Sequence, residues 1–252
     1  MSGKKVSNEM DKSVIERLKK LTTAHLTDAC LRVGVEVRCA PYNLQAIDKS
    51  MKCAGRVRPA RHVGAIDPFL MAMERADEGD VLVVDDGGRT DWAAVGDLMA
   101  HETKNAGMSG IVIWGLNRDT EEQIAIGLPI FSLGQCSTGP LQVDLHSPDA
   151  NEWARVGKWI VTEKDFVVGD FDGVIFLPED RLEEIVAAGE GVLAKEDEQR
   201  ADMAKGISIR QQIQFDKFME VRKNNPGITL REFLVTEVDL PDSSEFVLRK
   251  EK

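Results

Sequence analysis

Three residues in this chain have the types and spacing to do chemistry together: Asp97, Arg118 and Asp119. Asp97 follows Gly96 at the expected start of a helix, after the apolar run VLVVDD and the loop GGRTDWAAV. Gly96 would allow an unusual backbone there. The free N–H groups of Leu98 and Met99 in the first turn would then form a seat for a carboxylate or phosphate. Alone, Asp97 in a first turn also reads as a residue that complements the helix dipole. Arg118 and Asp119 follow the run GIVIWGLN. A planar guanidinium beside a carboxylate at a strand's end suits a bidentate grip on an anionic substrate, with a metal ligand next to it. The same dipeptide also fits a structural ion pair, or a helix cap ahead of TEEQ.

The elements that must position these residues are legible as hydrophobic runs. VLVVDD, GIVIW and LPIFSLG are short and apolar enough to be strands buried on both faces. Helical patterns separate them: FLMAMERA, GDLMAHETKNAG ended by Gly107, and TEEQIAIG. This β–loop–α–β–α–β rhythm defines a layered α/β domain, in which ligands sit on the loops after the strands. Earlier in the chain, Asp11 is placed to cap a helix with Val14, Ile15, Leu18 and Leu21 on one face. TAHLTDACLRV forms a second helix, closed by Gly34. His25 and Asp28 on it read as packing and capping residues. Residues 52–61 alternate as a strand, and Asp67-Pro68 reads as N-cap and first helical position. KWIV, DFVVGD and DGVIFLP are further strands. PEDRLEEIVAAGEGVLAKEDEQRADMAKG is a long charged helix, IRQQIQFDKFMEVRKN a second helical stretch, and Pro226-Gly227 and Pro241-Asp242 break the tail. The expected domains are residues 11–205, catalytic, and residues 206–252, a peripheral C-terminal extension.

Composition narrows the classes. The formal charge of 252 residues is −11, which argues against a nucleic-acid phosphate binder. Arg56, Arg58 and Arg61 read instead as a polar strand face. No apolar run is long enough to span a bilayer, and the first residues have no apolar signal core, so no membrane partner and a cytoplasmic location are expected. The four cysteines and four histidines are scattered, without CxxC or HExxH spacing. Any metal would therefore be a hard cation on oxygen ligands.

The blocks GRV at Gly55, ADEGDVLVVD at Ala76–Asp85, AVGDLMA at Ala94–Ala100 and GLNRD at Gly115–Asp119 occur in order, followed by PIF at Pro129 and DFDGV at Asp170. In these the chain resembles the RraA-like family, in particular its metal-dependent 4-hydroxy-4-methyl-2-oxoglutarate / 4-carboxy-4-hydroxy-2-oxoadipate aldolases. The resemblance implies a β/β/α swivelling-domain fold, here with helical N- and C-terminal extensions, assembled as a homotrimer or hexamer with sites at subunit interfaces. It implies Mg²⁺ or Mn²⁺, with Asp119 at the metal and Asp97 holding one of its waters. It sets Arg118 against the keto or enolate oxygen of a pyruvate moiety, whose carboxylate the Leu98 and Met99 amides take. A glutamate from a neighbouring subunit completes the family's site; Glu196 is placed for it, with Glu198 as the alternative. The activity implied is cleavage of 4-hydroxy-2-oxo acids to pyruvate, with oxaloacetate decarboxylation through the same enolate.

The alternative within the same resemblance is a protein regulator that binds and inhibits an endoribonuclease. A methyltransferase reading fails because VVDDGGR lacks the spaced glycines of a nucleotide loop. HVGAIDPF, Gln135-Cys136-Ser137 and PLQVDLHSPDANEW depart from the family pattern and are expected to shape the substrate pocket.

Overall fold

The computed structural model describes residues 13–62, 64–144 and 147–237. Asp11, placed by sequence as a cap, and Pro241-Asp242 lie outside them. Within these residues the chain divides into two compact units. One takes the chain up to Ala24 together with Val37–Glu183; the other takes His25–Glu36 and the chain from Glu184 on. The expected boundary at 205/206 falls inside the second unit.

The first unit is built on β1 (Arg38–Cys39), β2 (Gln45–Ala46), β3 (Cys53–Arg61), β4 (Val81–Asp85), β6 (Gly110–Trp114), β8 (Ile130–Ser132), β11 (Asp165–Asp170) and β12 (Gly173–Pro178). They form an eight-stranded sheet in the order β1-β12-β11-β3-β4-β6-β8-β2. Neighbours from β3 through β4 and β6 to β8 are parallel, and the flanking pairs are antiparallel. Helices α2 (Asp67–Arg75), α3 (Asp97–Asn105) and α4 (Thr120–Ile126) make the crossovers, because parallel neighbours need long connections. Two short strands, β5 (Ala93–Val95) and β7 (Leu116–Asn117), pair in parallel beside α3 and α4. The segment read from sequence as the loop GGRTDWAAV thus contains a strand.

Alternation along the parallel strands explains the layers. Leu82 and Val84 of β4, with Ile111 and Ile113 of β6, pack with Phe69, Met73, Ala100 and Ile126 of the helices. Val81, Val83 and Val112 point the other way, against Val167, Val174 and Phe176 and the hairpin of β9 (Ala154–Val156) and β10 (Trp159–Val161). Strands sandwiched by helices on one face and strands on the other are apolar throughout, as the runs predict. The layering is β/β/α.

Two local expectations are corrected. The β3 strand is buried on both faces rather than alternating: Arg58 is buried, paired with Asp80 and with Asp77 and Glu163. Arg56 and Arg61 pair with Glu179 and Asp149, so the arginine run is held by internal carboxylates. Second, α2 begins at Asp67, with Ile66 as its N-cap residue; Asp67 lies inside the first turn, where its charge favours the dipole. Val14, Ile15 and Leu18 are buried as expected on helical residues 13–18, and Leu21 is buried just beyond the helix. None of the four cysteines is in a disulfide; Cys30 and Cys53 are buried, and burial pushes the Cys53 thiol up to about 12.

The second unit contains most of α1 (Thr23–Val33) and α5 (Leu182–Ala204), then α6 (Ile209–Gln212), α7 (Phe215–Asn224) and α8 (Leu230–Glu237). Gly34 closes α1 with φ +70°, as its sequence position predicts. The stretch read as one helix breaks at Gln214 (φ 51°) into α6 and α7. Phe218, Phe233 and Leu234 form a small core of their own there, so the segment after 205 packs on itself.

Candidate active site

Arg118 and Asp119 follow β7 directly, and what fixes them is a buried polar network that sequence reading missed. Asn117, fully buried, donates to Thr120 Oγ1 (2.9 Å) and Gln123 Oε1 (2.8 Å), and accepts from Ser132 Oγ (2.7 Å). Gln123, also fully buried, donates on to the Val95 carbonyl at 3.3 Å. The Arg118 N–H donates to that same carbonyl at 3.0 Å. Buried amides so satisfied rigidify their surroundings. The only signal for them in sequence was their polarity inside apolar runs.

Asp119 sits in the left-handed region, φ 57° and ψ 44°. It precedes α4 as the cap reading expected, but its side chain makes no cap hydrogen bond. The carboxylate turns back instead: Oδ2 lies 3.4 Å from the Asp97 backbone nitrogen and 3.6 Å from Arg118 Nε. A non-glycine residue held in this conformation costs on the order of 1 kcal/mol or more and tends to occur at functional sites.

Gly96 leaves room for the Asp119 and Arg118 side chains as they stand, and does not supply the unusual backbone expected of it. Its backbone is extended, φ −110° and ψ −172°, but a Cβ there would lie 2.5 Å from Asp119 Oδ2 and 3.3 Å from Arg118 Nε. Gly139 does the same on the other flank, where a Cβ would meet Arg118 Nη1 at 2.8 Å. The guanidinium thus lies between two glycines. Gln135 and Cys136, expected at the pocket, run alongside: Cys136 N–H donates to the Asn117 carbonyl at 2.9 Å. Ala93 N–H donates to the Thr138 carbonyl at 2.7 Å.

Asp97 opens α3 and its Oδ1 accepts from the Leu98 N–H at 2.7 Å. The amide seat is therefore half taken by the protein's own carboxylate. An anionic ligand would have to displace Asp97 from it, freeing that carboxylate for another partner. Leu98 is exposed and Met99 packs against the helix-side core. Arg118 and Asp119 are each part-exposed, so a ligand can reach both.

Among the described residues no group of three His, Cys, Asp or Glu side chains could hold a metal alone. Asp119 still fits a hard cation. Its Oδ2 carries the contacts above while Oδ1 makes no hydrogen bond or ion pair among the described residues, and Mg²⁺ is commonly held by one or two carboxylates with water and substrate oxygens filling the octahedron. Glu196 belongs to the second unit, on α5. There its Oε2 lies 3.3 Å from His25 Nε2 and accepts from Arg200 Nη1 at 2.9 Å. Burial pushes this carboxyl up, but the hydrogen bonds and charges of Arg200 and His25 outweigh it and leave it below the usual value. Glu198 pairs with Lys195 at 3.4 Å.

The first unit is thus a β/β/α layered domain with an arginine–aspartate pair after β7 and a glycine–aspartate helix start facing it. The RraA-like profile, described as Aldolase/RraA, matches residues 23–176. The chain belongs to the RraA-like family. It is 24% identical over 209 residues to Protein DlpA of Legionella pneumophila, across 79% of this chain and 33% of that one. It is 31% identical over 134 residues to a Halalkalibacterium halodurans protein named "Putative 4-hydroxy-4-methyl-2-oxoglutarate aldolase", across 52% of this chain and 63% of the other. The chain thus spans a third of the first relative and somewhat under two thirds of the second. Among solved structures, Streptomyces coelicolor RraAS2, described as an unusual member of the RNase ES inhibitor RraA protein family, superposes with TM-score 0.68. That match, at 24% identity, covers 76% of this chain and 98% of that one, and it shows the fold alone. No helix among the described residues is long and apolar enough to cross a membrane.

Proposed function

We propose that this chain is a divalent-metal-dependent lyase of the class II pyruvate aldolase type. It would cleave 4-hydroxy-2-oxo acids to pyruvate and a carbonyl product, and decarboxylate oxaloacetate. The observation that carries the proposal is the Arg118–Asp119 pair, held by a buried amide network and given room by Gly96 and Gly139. Relatives named as 4-hydroxy-4-methyl-2-oxoglutarate aldolases support the reading.

Both reactions pass through one enolate, so a single device serves both. Bound Mg²⁺ or Mn²⁺, held by Asp119, would supply Lewis-acid polarisation of the 2-keto oxygen and the adjacent carboxylate. Arg118 stabilises the negative charge that develops on that oxygen, where fixed donors have their largest effect. The Met99 amide, and that of Leu98 once Asp97 swings off it, take the substrate carboxylate. Asp97 then orients water, and Glu196 from a neighbouring subunit of a trimer or hexamer completes the set. Arg118 is already given room by flanking glycines, so the reorganisation on binding is that of Asp97 leaving the Leu98 amide.

The test is pyruvate release from 4-hydroxy-2-oxo acids and oxaloacetate by the wild type and Arg118→Lys. Lysine keeps the charge and loses the planar fork, so kcat should fall about 10²-fold or more on both substrates. Near-normal kcat with only a raised KM would show that Arg118 merely binds substrate. A wild type that releases no pyruvate from any substrate would overturn the reading in favour of a regulatory one.

A further inference from the structure

The proposed chemistry leaves one wall of the Arg118 site unused. It is made by the segment after β8, which departs from the family pattern and is held across the strand ends at three points. Gln135 bridges Asn117, with the Cys136 N–H donating to the Asn117 carbonyl at 2.9 Å. The Thr138 carbonyl accepts from the Ala93 N–H at 2.7 Å. The Gln142 carbonyl abuts Gly64, where a Cβ would lie 1.9 Å from its oxygen. Between the last two anchors, Gly139 lies against the Arg118 guanidinium. Residues 135–143 therefore form a strap fixed beside Arg118.

The strap reads QCSTGPLQV and has no charged side chain. No lysine or arginine occurs from Asp119 to Trp153. The arginines at the neighbouring strand ends are already engaged. Arg61 pairs with Asp149, and Arg89 donates to both oxygens of Asp91, at 2.8 and 2.9 Å, while it stacks over Trp92. Arg155 stands on the outward face of β9, between Ala154 and Val156, which pack inward. Leu141 and Val143 on the strap are apolar and 71% and 69% exposed.

A substrate held by its 2-oxo acid end uses Arg118, the amides and the cation on C1 and C2. C4 lies only two bonds beyond the keto carbon, so its substituents fall beside Arg118, where the strap is. A carboxylate there gives up hydration, gains no cation from the strap and faces Asp97 and Asp119. A methyl or ethyl group gains apolar cover instead.

We infer that the strap selects 4-hydroxy-2-oxo acids whose C4 substituent is an uncharged alkyl group, so that the product released with pyruvate is a simple aldehyde or ketone and not an oxo acid. This rests on the lyase reading. In the cleavage the C3–C4 bond breaks with its electron pair going to C3. The C4 hydroxyl loses its proton as the carbonyl forms, and C3 regains one to give pyruvate. Oxaloacetate is accommodated by the same site because its C4 carboxylate departs as CO₂ and need not be held.

The test is a matched pair of substrates, run on the full chain with Mg²⁺: 4-hydroxy-2-oxopentanoate and 4-hydroxy-2-oxoglutarate, which differ only in a methyl or a carboxylate at C4. The kcat/KM for the methyl compound should exceed that for the dicarboxylate by about tenfold or more. Leu141→Arg then supplies the missing cation. Residue 141 stands two residues from Gly139, at most about 7 Å between Cα atoms, and its exposure gives the fold no reason to suffer. This variant should shift the ratio toward the dicarboxylate by about tenfold. Equal use of the two substrates by the wild type, or preference for the dicarboxylate, overturns the inference. A ratio unmoved in Leu141→Arg overturns the strap as its cause. Cleavage of neither compound, with oxaloacetate still decarboxylated, overturns it too and leaves the enolate chemistry standing. A wild type inert on all three overturns the lyase reading itself.

Discussion

The three residues singled out at the start converge because of groups with no chemistry of their own. Gly96 makes the point most sharply. Gly96→Ala changes one hydrogen to a methyl on an ordinary extended backbone, yet the new Cβ would lie 2.5 Å from Asp119 Oδ2. The carboxylate must move, while the fold has no reason to fail. The expected outcome is a loss of kcat of at least about tenfold, since ångström-scale misplacement costs that much or more, with a melting temperature close to wild type. Unchanged kinetics would show that the Asp119 position is not critical. Residue types and order made Asp97, Arg118 and Asp119 legible in the sequence. The approach of Asp119 Oδ2 to the Asp97 N–H and the Gly139 contact were not, because each brings together segments apart in the chain; nor were the left-handed Asp119 and the Asp97 carboxylate on the Leu98 amide, because residue type does not fix a local backbone or rotamer.

Elements were legible wherever burial made them apolar on both faces. β4, β6 and β8 appear as the runs VLVVD, GIVIW and IFS. β3 was misread as half-exposed because its arginines are long enough to reach carboxylates from a buried strand; only pairing makes such burial tolerable. Arg61 at its end donates to Asp149, stacks over Trp153 at 3.8 Å, and so ties the 147–153 segment to the strand edge. Hydrogen bonds from Arg61, Ser147 and Trp153 hold the Asp149 carboxyl well below the usual range. A carboxyl depressed in the folded state contributes stability above its unfolded pKa and loses it as pH falls toward the folded one. The wild-type melting temperature should therefore drop more steeply than that of Asp149→Asn below about pH 4, the unfolded value for an aspartate. Parallel curves would mean that the tie contributes nothing.

At the scale of the whole molecule, the profile match over residues 23–176 covers the sheet and the Arg118 site but ends short of α5 and Glu196. Compactness divides the chain near Glu184, within the 23-residue helix α5. If Glu196 serves a neighbouring subunit, Asp119→Ala and Glu196→Ala should each be impaired alone. Co-expression of the two should rebuild sites that pair an intact Asp119 with an intact Glu196. Pyruvate release no better than the mean of the parents would place Glu196 outside the shared site. The most direct test of the account removes the metal. After exhaustive dialysis against EDTA, pyruvate release from 4-hydroxy-2-oxo acids and oxaloacetate should vanish, and Mg²⁺ or Mn²⁺ should restore it. Full turnover in EDTA would contradict the account and point to a lysine Schiff base in place of Asp119 and its cation.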